Sequence, residues 1–114
     1  MIRLTTEQMA NALEYELIGE NGAFSREIES VYCCDLLSFV MGRAPAGSAW
    51  VTVMGNVNAV AVALLADVAC VVFAEGVMPD NDAIEKARQN GVALLRSPAP
   101  VFDTARAIAG AAGL

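Results

Sequence analysis

The sequence predicts an α/β fold, a single-domain layered sandwich whose mainly parallel sheet has about four or five short strands alternating with helices. Three observations carry this prediction. Two short runs, Trp50–Met54 and Val68–Ala74, are rich in β-branched and aromatic residues and bounded by turn residues, the pattern of strands covered on both faces. Between them, Val57–Leu65 is built of alanine, valine and leucine and follows an Asn56 able to cap a helix, which suits the crossover joining two parallel strands. The remainder of the chain continues the alternation, with short connections and no long linker, low-complexity tract or internal repeat. Residues 1–114 therefore read as one domain.

The elements follow in order. Thr5 and Gln8 have capping-box spacing and Leu4 and Met9 the spacing of a hydrophobic staple, so a first helix runs to about Glu14 and buries Met9, Ala12 and Leu13. Tyr15–Ile18 reads as a short strand ending in the turn Gly19-Glu20-Asn21-Gly22. Arg26 and Glu27 lead into an edge strand through Ile28, Val31 and Cys33, with Glu29 and Ser30 supplying polar alternation. Asp35 is placed to cap a two-turn helix that Gly42 closes. The turn Pro45–Ser48 feeds the strand opened by Trp50. After the Val68–Ala74 strand, Asp80 caps a helix ending at Asn90, with Asp82 in its first turn, Arg88 in its last and Gly91 just beyond. Ala83, Ile84 and Ala87 form its inner stripe. Val92–Leu95 is a short apolar strand. Pro98 and Pro100 precede a last helix with Val101, Phe102, Ala105, Ile108, Ala109 and Ala112 at helical spacing.

The middle helix shapes the expectation about partners. Val57, Val60, Ala61, Leu64 and Leu65 are expected to face the sheet, yet Ala59, Val62 and Ala63 leave the opposite side apolar too. A helix apolar all round is usually covered on both sides, and the cheapest cover for a short chain is a second copy. A homodimer with Ala59, Val62 and Ala63 at its interface is the prediction. A membrane span is the competing reading, because Val57–Ala74 approaches the ~18 residues needed. Asp67 stands in its middle, no Lys or Arg flanks either end, and Val-Ala-Cys-Val-Val-Phe has strand character, so the span is rejected.

Composition narrows the function classes. The chain has 114 residues, 56% of them hydrophobic, which fills a compact core and leaves apolar surface for association. Its 13 acidic and 7 basic residues give a net charge of −6, a balance that repels phosphate backbones, so nucleic acid is not an expected partner. The first residues lack the basic-then-apolar form of a signal peptide. Three cysteines, two of them adjacent, make no disulfide framework, and a cytoplasmic setting is expected. Cys33 and Cys34 should point to opposite faces of a strand. Without histidine or a CxxC motif no metal site or cofactor is expected, and Cys70 reads as a small core residue.

In parallel sheets ligands gather beyond the carboxyl ends of the strands. The candidate ligand-binding residues there are Asp35, Gly55, Asn56, Glu75, Gly76, Arg96 and Ser97. Several precede helices, whose free N–H groups can receive an anion; the glycines admit close approach and Arg96 supplies charge. The alternative is that Asp35, Asn56 and Ser97 cap helices and the glycines turn the chain. Catalysis is not expected. Asp35 and Glu75 could form a carboxylate pair, but no spacing requires them to meet, no histidine can act as a base, and no serine or cysteine has an evident activator.

The ordered set Asp35-Leu36-Leu37-Ser38, Val40-Met41, the strand opened by Trp50, Ala74-Glu75-Gly76, Pro79-Asp80, Ile84-Glu85-Lys86-Ala87, Gly91-Val92, Leu94-Leu95 and Ser97 resembles the DRTGG domain family. The similarity runs from about Leu4 to the last helix. The Asp-Arg-Thr-Gly-Gly string that names the family is not written here; Ser25-Arg26 and Glu75-Gly76 stand where parts of it would be. Such domains occur alone and attached to enzymes, including regulated pyrophosphatases with CBS domains, phosphotransacetylases and, in a related form, HPr kinase/phosphorylases. The resemblance implies a regulatory or oligomerisation module, with an enzyme or regulatory protein as a partner. Kinase activity is not carried over, because the chain has no G-x-x-x-x-G-K-[ST] loop. The expected function is thus a non-enzymatic regulatory or interaction module acting as a homodimer. The alternatives are a sensor binding an anionic metabolite or nucleotide at the strand ends and, third, a small enzyme using Asp35 or Glu75.

Overall fold

The computed structural model describes residues 3–19 and 23–114, and all statements about structure concern these. The chain runs α1 (Thr6–Leu13), β1 (Glu16–Ile18), β2 (Ser30–Cys33), α2 (Leu37–Arg43), β3 (Ser48–Thr52), α3 (Val57–Ala66), β4 (Cys70–Phe73), α4 (Asn81–Asn90), β5 (Leu94–Arg96) and α5 (Val101–Ala111). The strands form one sheet in the order β1-β5-β4-β3-β2. β2, β3, β4 and β5 are parallel, and β1 joins β5 antiparallel. The α/β expectation holds, with the mainly parallel sheet closed by one antiparallel edge strand. The predicted turn after β1 falls partly on residues 20–22, outside those described.

Strand periodicity separates two cores. Tyr32, Trp50, Val71 and Leu94 sit in one row of register and pack with Phe73 beneath α2, α3 and α4. The alternate residues Val31, Ala49, Val51, Cys70, Val72 and Leu95 face α1 and α5, joining Met9, Ile28 and Ile108. Because side chains alternate at period two and both faces carry helices, the central strands are buried along their full length. The burial pattern of β3 and β4 is unbroken. Trp50 is the largest fully buried side chain, and its indole Nε1–H donates to the Cys34 carbonyl at 2.8 Å.

The helix ends follow their local chemistry. Thr5 and Gln8 form the reciprocal capping box that their spacing predicts. Asn56 caps α3, its Oδ1 accepting from the Ala59 N–H at 3.0 Å, and Gly91 ends α4 in the left-handed conformation. Asp80 takes the N-cap position of α4 without a side-chain bond. Asp35, by contrast, does not cap α2: Leu36 holds that position, and Gly42 lies inside the helix, which ends at Arg43. Ala44 turns extended there, as the residue before Pro45 must.

Three predicted buried faces shift. In α1 Ala10 is buried in place of Ala12. In α5 the buried positions are Thr104 and Ile108, followed by Ala112 beyond its end, while Phe102 is exposed. The cause is local: Thr104 Oγ1 shares a hydrogen bond with Ser97 Oγ and donates to the Ala99 carbonyl, which turns that side of the helix inward. The third shift is in α3. Ala59, Val60, Val62, Ala63 and Ala66 are buried, so Ala59, Val62 and Ala63 lie inside the chain's own core and are not a free dimer face. Of the five residues expected to face the sheet only Val60 is buried; Val57, Leu64 and Leu65 are exposed. Small residues at 59, 63 and 66 let α3 settle closely onto the sheet between α2 and α4, against both of which it packs.

No helix among the described residues is long and apolar enough to cross a membrane.

Candidate functional site

Four parallel strands in sequence bring their carboxyl ends to one edge of the sheet, so the topology gathers all seven predicted ligand-binding positions along that rim. Their hydrogen bonds show what each one does there.

Asp35, just after β2, reaches across to the next strand. Its Oδ1 accepts from Thr52 Oγ1 at 2.7 Å and from the Val53 N–H at 3.0 Å. Gly55 is a packing position. A Cβ on it would stand 3.0 Å from the Pro79 Cα, and its carbonyl accepts from the Asp80 N–H at 2.8 Å. Asn56 is occupied in capping α3. Glu75 and Gly76 are the central pair of a tight turn, at φ +59° and +70°, closed by the Val77 N–H donating to the Ala74 carbonyl. Two successive positive φ values define the primed turn type, which glycine adopts freely and glutamate only at a steric cost. The Glu75 N–H donates to the Ala99 carbonyl and the Gly76 N–H to the Ser97 carbonyl. Ser97 is fully buried, paired with Thr104 and accepting from the Ala99 N–H at 3.2 Å. It stabilises the loop before α5, whose N-cap is Pro100.

Arg96 is the cation of this rim. Its Nε donates to the Gly76 carbonyl at 3.0 Å, and a terminal nitrogen meets Glu16 Oε2 at 3.3 Å. With Glu14, Glu16, Gly76 and Pro98 it lines a cavity of about 200 Å³. An anion entering there would have to replace Glu16 beside a second carboxylate, Glu14. Sequence reasoning found Gly76 and Arg96 but missed both glutamates, since β1 reaches this end only through its antiparallel pairing with β5.

A second cavity, of about 240 Å³, opens at the opposite edge of the sheet, lined by Arg26, Leu64, Asp67, Asn90 and Gly91 among others. Arg26 there donates to Asp67 Oδ1 at 2.8 Å and to the Val68 carbonyl at 3.1 Å. Arg26 and Asp67 are 41 residues apart, so no local spacing announces the pair.

The chemistry available is modest. β3 lies between the strands that carry Asp35 and Glu75, so the backbones of the carrying strands are about 10 Å apart. Burial, then the neighbouring Asp35 and Cys34, pushes the Cys33 thiol up, away from the thiolate. Cys70, fully buried, is pushed up to about 12, chiefly by burial. Neither is an activated nucleophile at neutral pH. Among the described residues no group of three or more His, Cys, Asp or Glu side chains could hold a metal ion.

No protein-family model matches the chain, and no curated protein matches it. A solved structure does. The chain superimposes on the CBS and DRTGG domains of the regulatory region of Clostridium perfringens pyrophosphatase, crystallised with its activator diadenosine tetraphosphate, with a TM-score of 0.74 over 91% of its length. The chain has a DRTGG-like fold. Sequence identity is 16%, and the DRTGG-like domain covers 45% of the matched chain. The resemblance read from the ordered motifs is thereby borne out at the level of the fold, without the string that names the family. In the DRTGG-like domain the predicted rim residues are the groups that tie one loop to the next.

Proposed function

We propose that this DRTGG-like domain is a non-enzymatic regulatory or interaction module, working as a homodimer in the cytoplasm and acting on an enzyme or regulatory protein. One observation carries the reading: three polar side chains of the strand-end rim are held in structural hydrogen bonds, Asp35 to Thr52, Asn56 to Ala59 and Ser97 to Thr104. A catalytic site needs a nucleophile, base or acid aimed at open space, and these groups are aimed at each other. The fold supports the same reading, since a DRTGG domain belongs to the regulatory region of the pyrophosphatase it resembles. The experiment is capture of partners from native cytoplasm, followed by assay of any captured enzyme with and without the purified chain. A reproducible change in turnover is expected. Unchanged turnover of every captured enzyme would overturn the regulatory reading.

A second reading, a sensor for an anionic metabolite or nucleotide, is favoured by the cavity at Arg96 and Gly76. Ligand that binds only the native state raises the melting temperature. Under the preferred reading, nucleotides and inorganic phosphate at millimolar concentration leave the melting temperature unchanged. A rise of several degrees that Arg96→Gln abolishes would establish the sensor instead.

A further inference from the structure

β2 ends the sheet on one side and bonds along its inner margin to β3. Successive residues of a strand send their N–H and C=O groups to opposite margins. The Glu29 N–H points inward, to the Gly47 carbonyl at 3.0 Å, and the Ile28 N–H outward, to the Leu4 carbonyl at 2.9 Å. The outer margin there is covered by the chain itself. Thr5 bridges Glu27 in antiparallel fashion, and Arg3 holds Glu29 Oε1 at 2.9 Å. Past Glu29 no described residue continues this cover. Alternation turns the N–H and C=O of Ser30 and Tyr32 outward, and neither has a backbone partner on that side among the described residues. The Ser30 hydroxyl is buried and likewise has no partner among them.

We propose that the outer margin of Ser30–Cys33 receives an extended, basic segment of a partner protein, which adds to the sheet as a further strand. The inference rests on the interaction-module reading and names the chemistry of its partner. A row of unpaired N–H and C=O groups specifies its own occupant, because only another extended backbone matches their spacing. The strand is also undefended. Ser30, Val31, Tyr32 and Cys33 include no proline and no charge, two of the usual means by which an edge turns other strands away.

Charge selects the sequence of the added strand. Arg3 against Glu29 shows a basic side chain matched to this edge where it is already covered. Past the open end Asp35 is exposed; its Oδ1 accepts from Thr52 and Val53, and its Oδ2 has no partner among the described residues. A lysine or arginine on the added strand meets it there. A second copy of the chain is the poorer occupant. Two β2 strands paired antiparallel about Tyr32 set Glu29 opposite Asp35 of the partner subunit, and like charges directly opposite one another destabilise a strand pair. Each copy also brings a net charge of −6.

Amide hydrogen exchange read by NMR tests this on the full chain, with the acetylated and amidated peptide Lys-Thr-Val-Thr-Val-Thr-Lys as the probe. In the free chain the Val31 and Cys33 amides, which face β3, should be protected at least tenfold more than those of Ser30 and Tyr32. Probe at millimolar concentration should raise the protection of Ser30 and Tyr32 at least tenfold. The same peptide with glutamate at both ends, or N-methylated throughout, should leave them unprotected. Ser30→Pro removes an outward N–H at the first position of the strand, where proline is tolerated. It should weaken the probe at least tenfold while circular dichroism stays native. Ser30 and Tyr32 amides already protected in the free chain would overturn the proposal, because the margin is then covered by the chain or by a second copy. So would a probe that protects neither amide, or one that works equally well with glutamate ends. Those results strike this edge alone; the turnover of captured enzymes decides the interaction reading independently.

Discussion

Trp50→Ala is expected to lower the urea midpoint by at least half, leaving the chain close to unfolded at room temperature. Trp50 is fully buried between β2 and β4, in the row of Tyr32, Val71 and Leu94. Removing a large aromatic side chain from a packed core costs about 3–5 kcal/mol. The half-buried Cys34 carbonyl would also lose its donor at 2.8 Å, a further loss of about 1 kcal/mol, the net worth of a typical hydrogen bond. The total compares with an entire stability of about 5–15 kcal/mol. Trp50→Phe separates the two contributions, since it keeps much of the ring and loses the N–H. Denaturant curves for the three chains give the comparison. A loss below about 1 kcal/mol for the alanine variant would show that the central row does not hold the sheet as described.

Val62→Glu is expected to unfold the chain rather than to separate a dimer. Val62 is buried among Val40, Val60 and Ala66 on the sheet side of α3. A carboxylate placed there loses its hydration and gains apolar neighbours, so its pKa rises above the ordinary value of about 4.3. The sign follows from linkage. With the folded-state pKa raised, the variant is least impaired below pH ~4, where the group is neutral in both states, and its stability falls as pH rises toward neutrality. Thermal melts of Val62→Glu at pH 4 and pH 7 should therefore diverge, on top of the divergence seen for the native chain. Equal loss at both pH values would mean that the glutamate reaches water and that α3 is less firmly seated than its burial implies.

The contrast between Val62 and Leu65 explains what the sequence made legible. Element type and order could be read because strand runs and helix runs differ in composition, and because Thr5, Asn56 and Gly91 carry local cap chemistry that acts where it is written. The phase of α3 could not be read. Every side of that helix is apolar, so periodicity carried no direction; the only hint was the alanine spacing at 59, 63 and 66, which marks close approach. Phe102 misled for a related reason. Its size suggested burial, but the hydroxyl of Thr104 found partners in Ser97 and Ala99 and set the rotation of α5. At the rim, the convergence of Asp35, Gly55, Asn56, Glu75, Gly76, Arg96 and Ser97 followed from parallel topology alone. The roles of Asp35, Gly55 and Arg96 did not, because Thr52, Pro79 and Glu16, which engage them, are distant in sequence.

Those rim contacts have a mechanical consequence. Asp35 reaches from the loop after β2 to the end of β3, the Gly55 carbonyl takes the Asp80 N–H, and the Gly76 N–H gives to the Ser97 carbonyl. The loops are geared together like links in a belt. A tug on one would be felt by its neighbours, and whatever presses on this edge of the molecule meets a stiff hoop in place of four loose fingers.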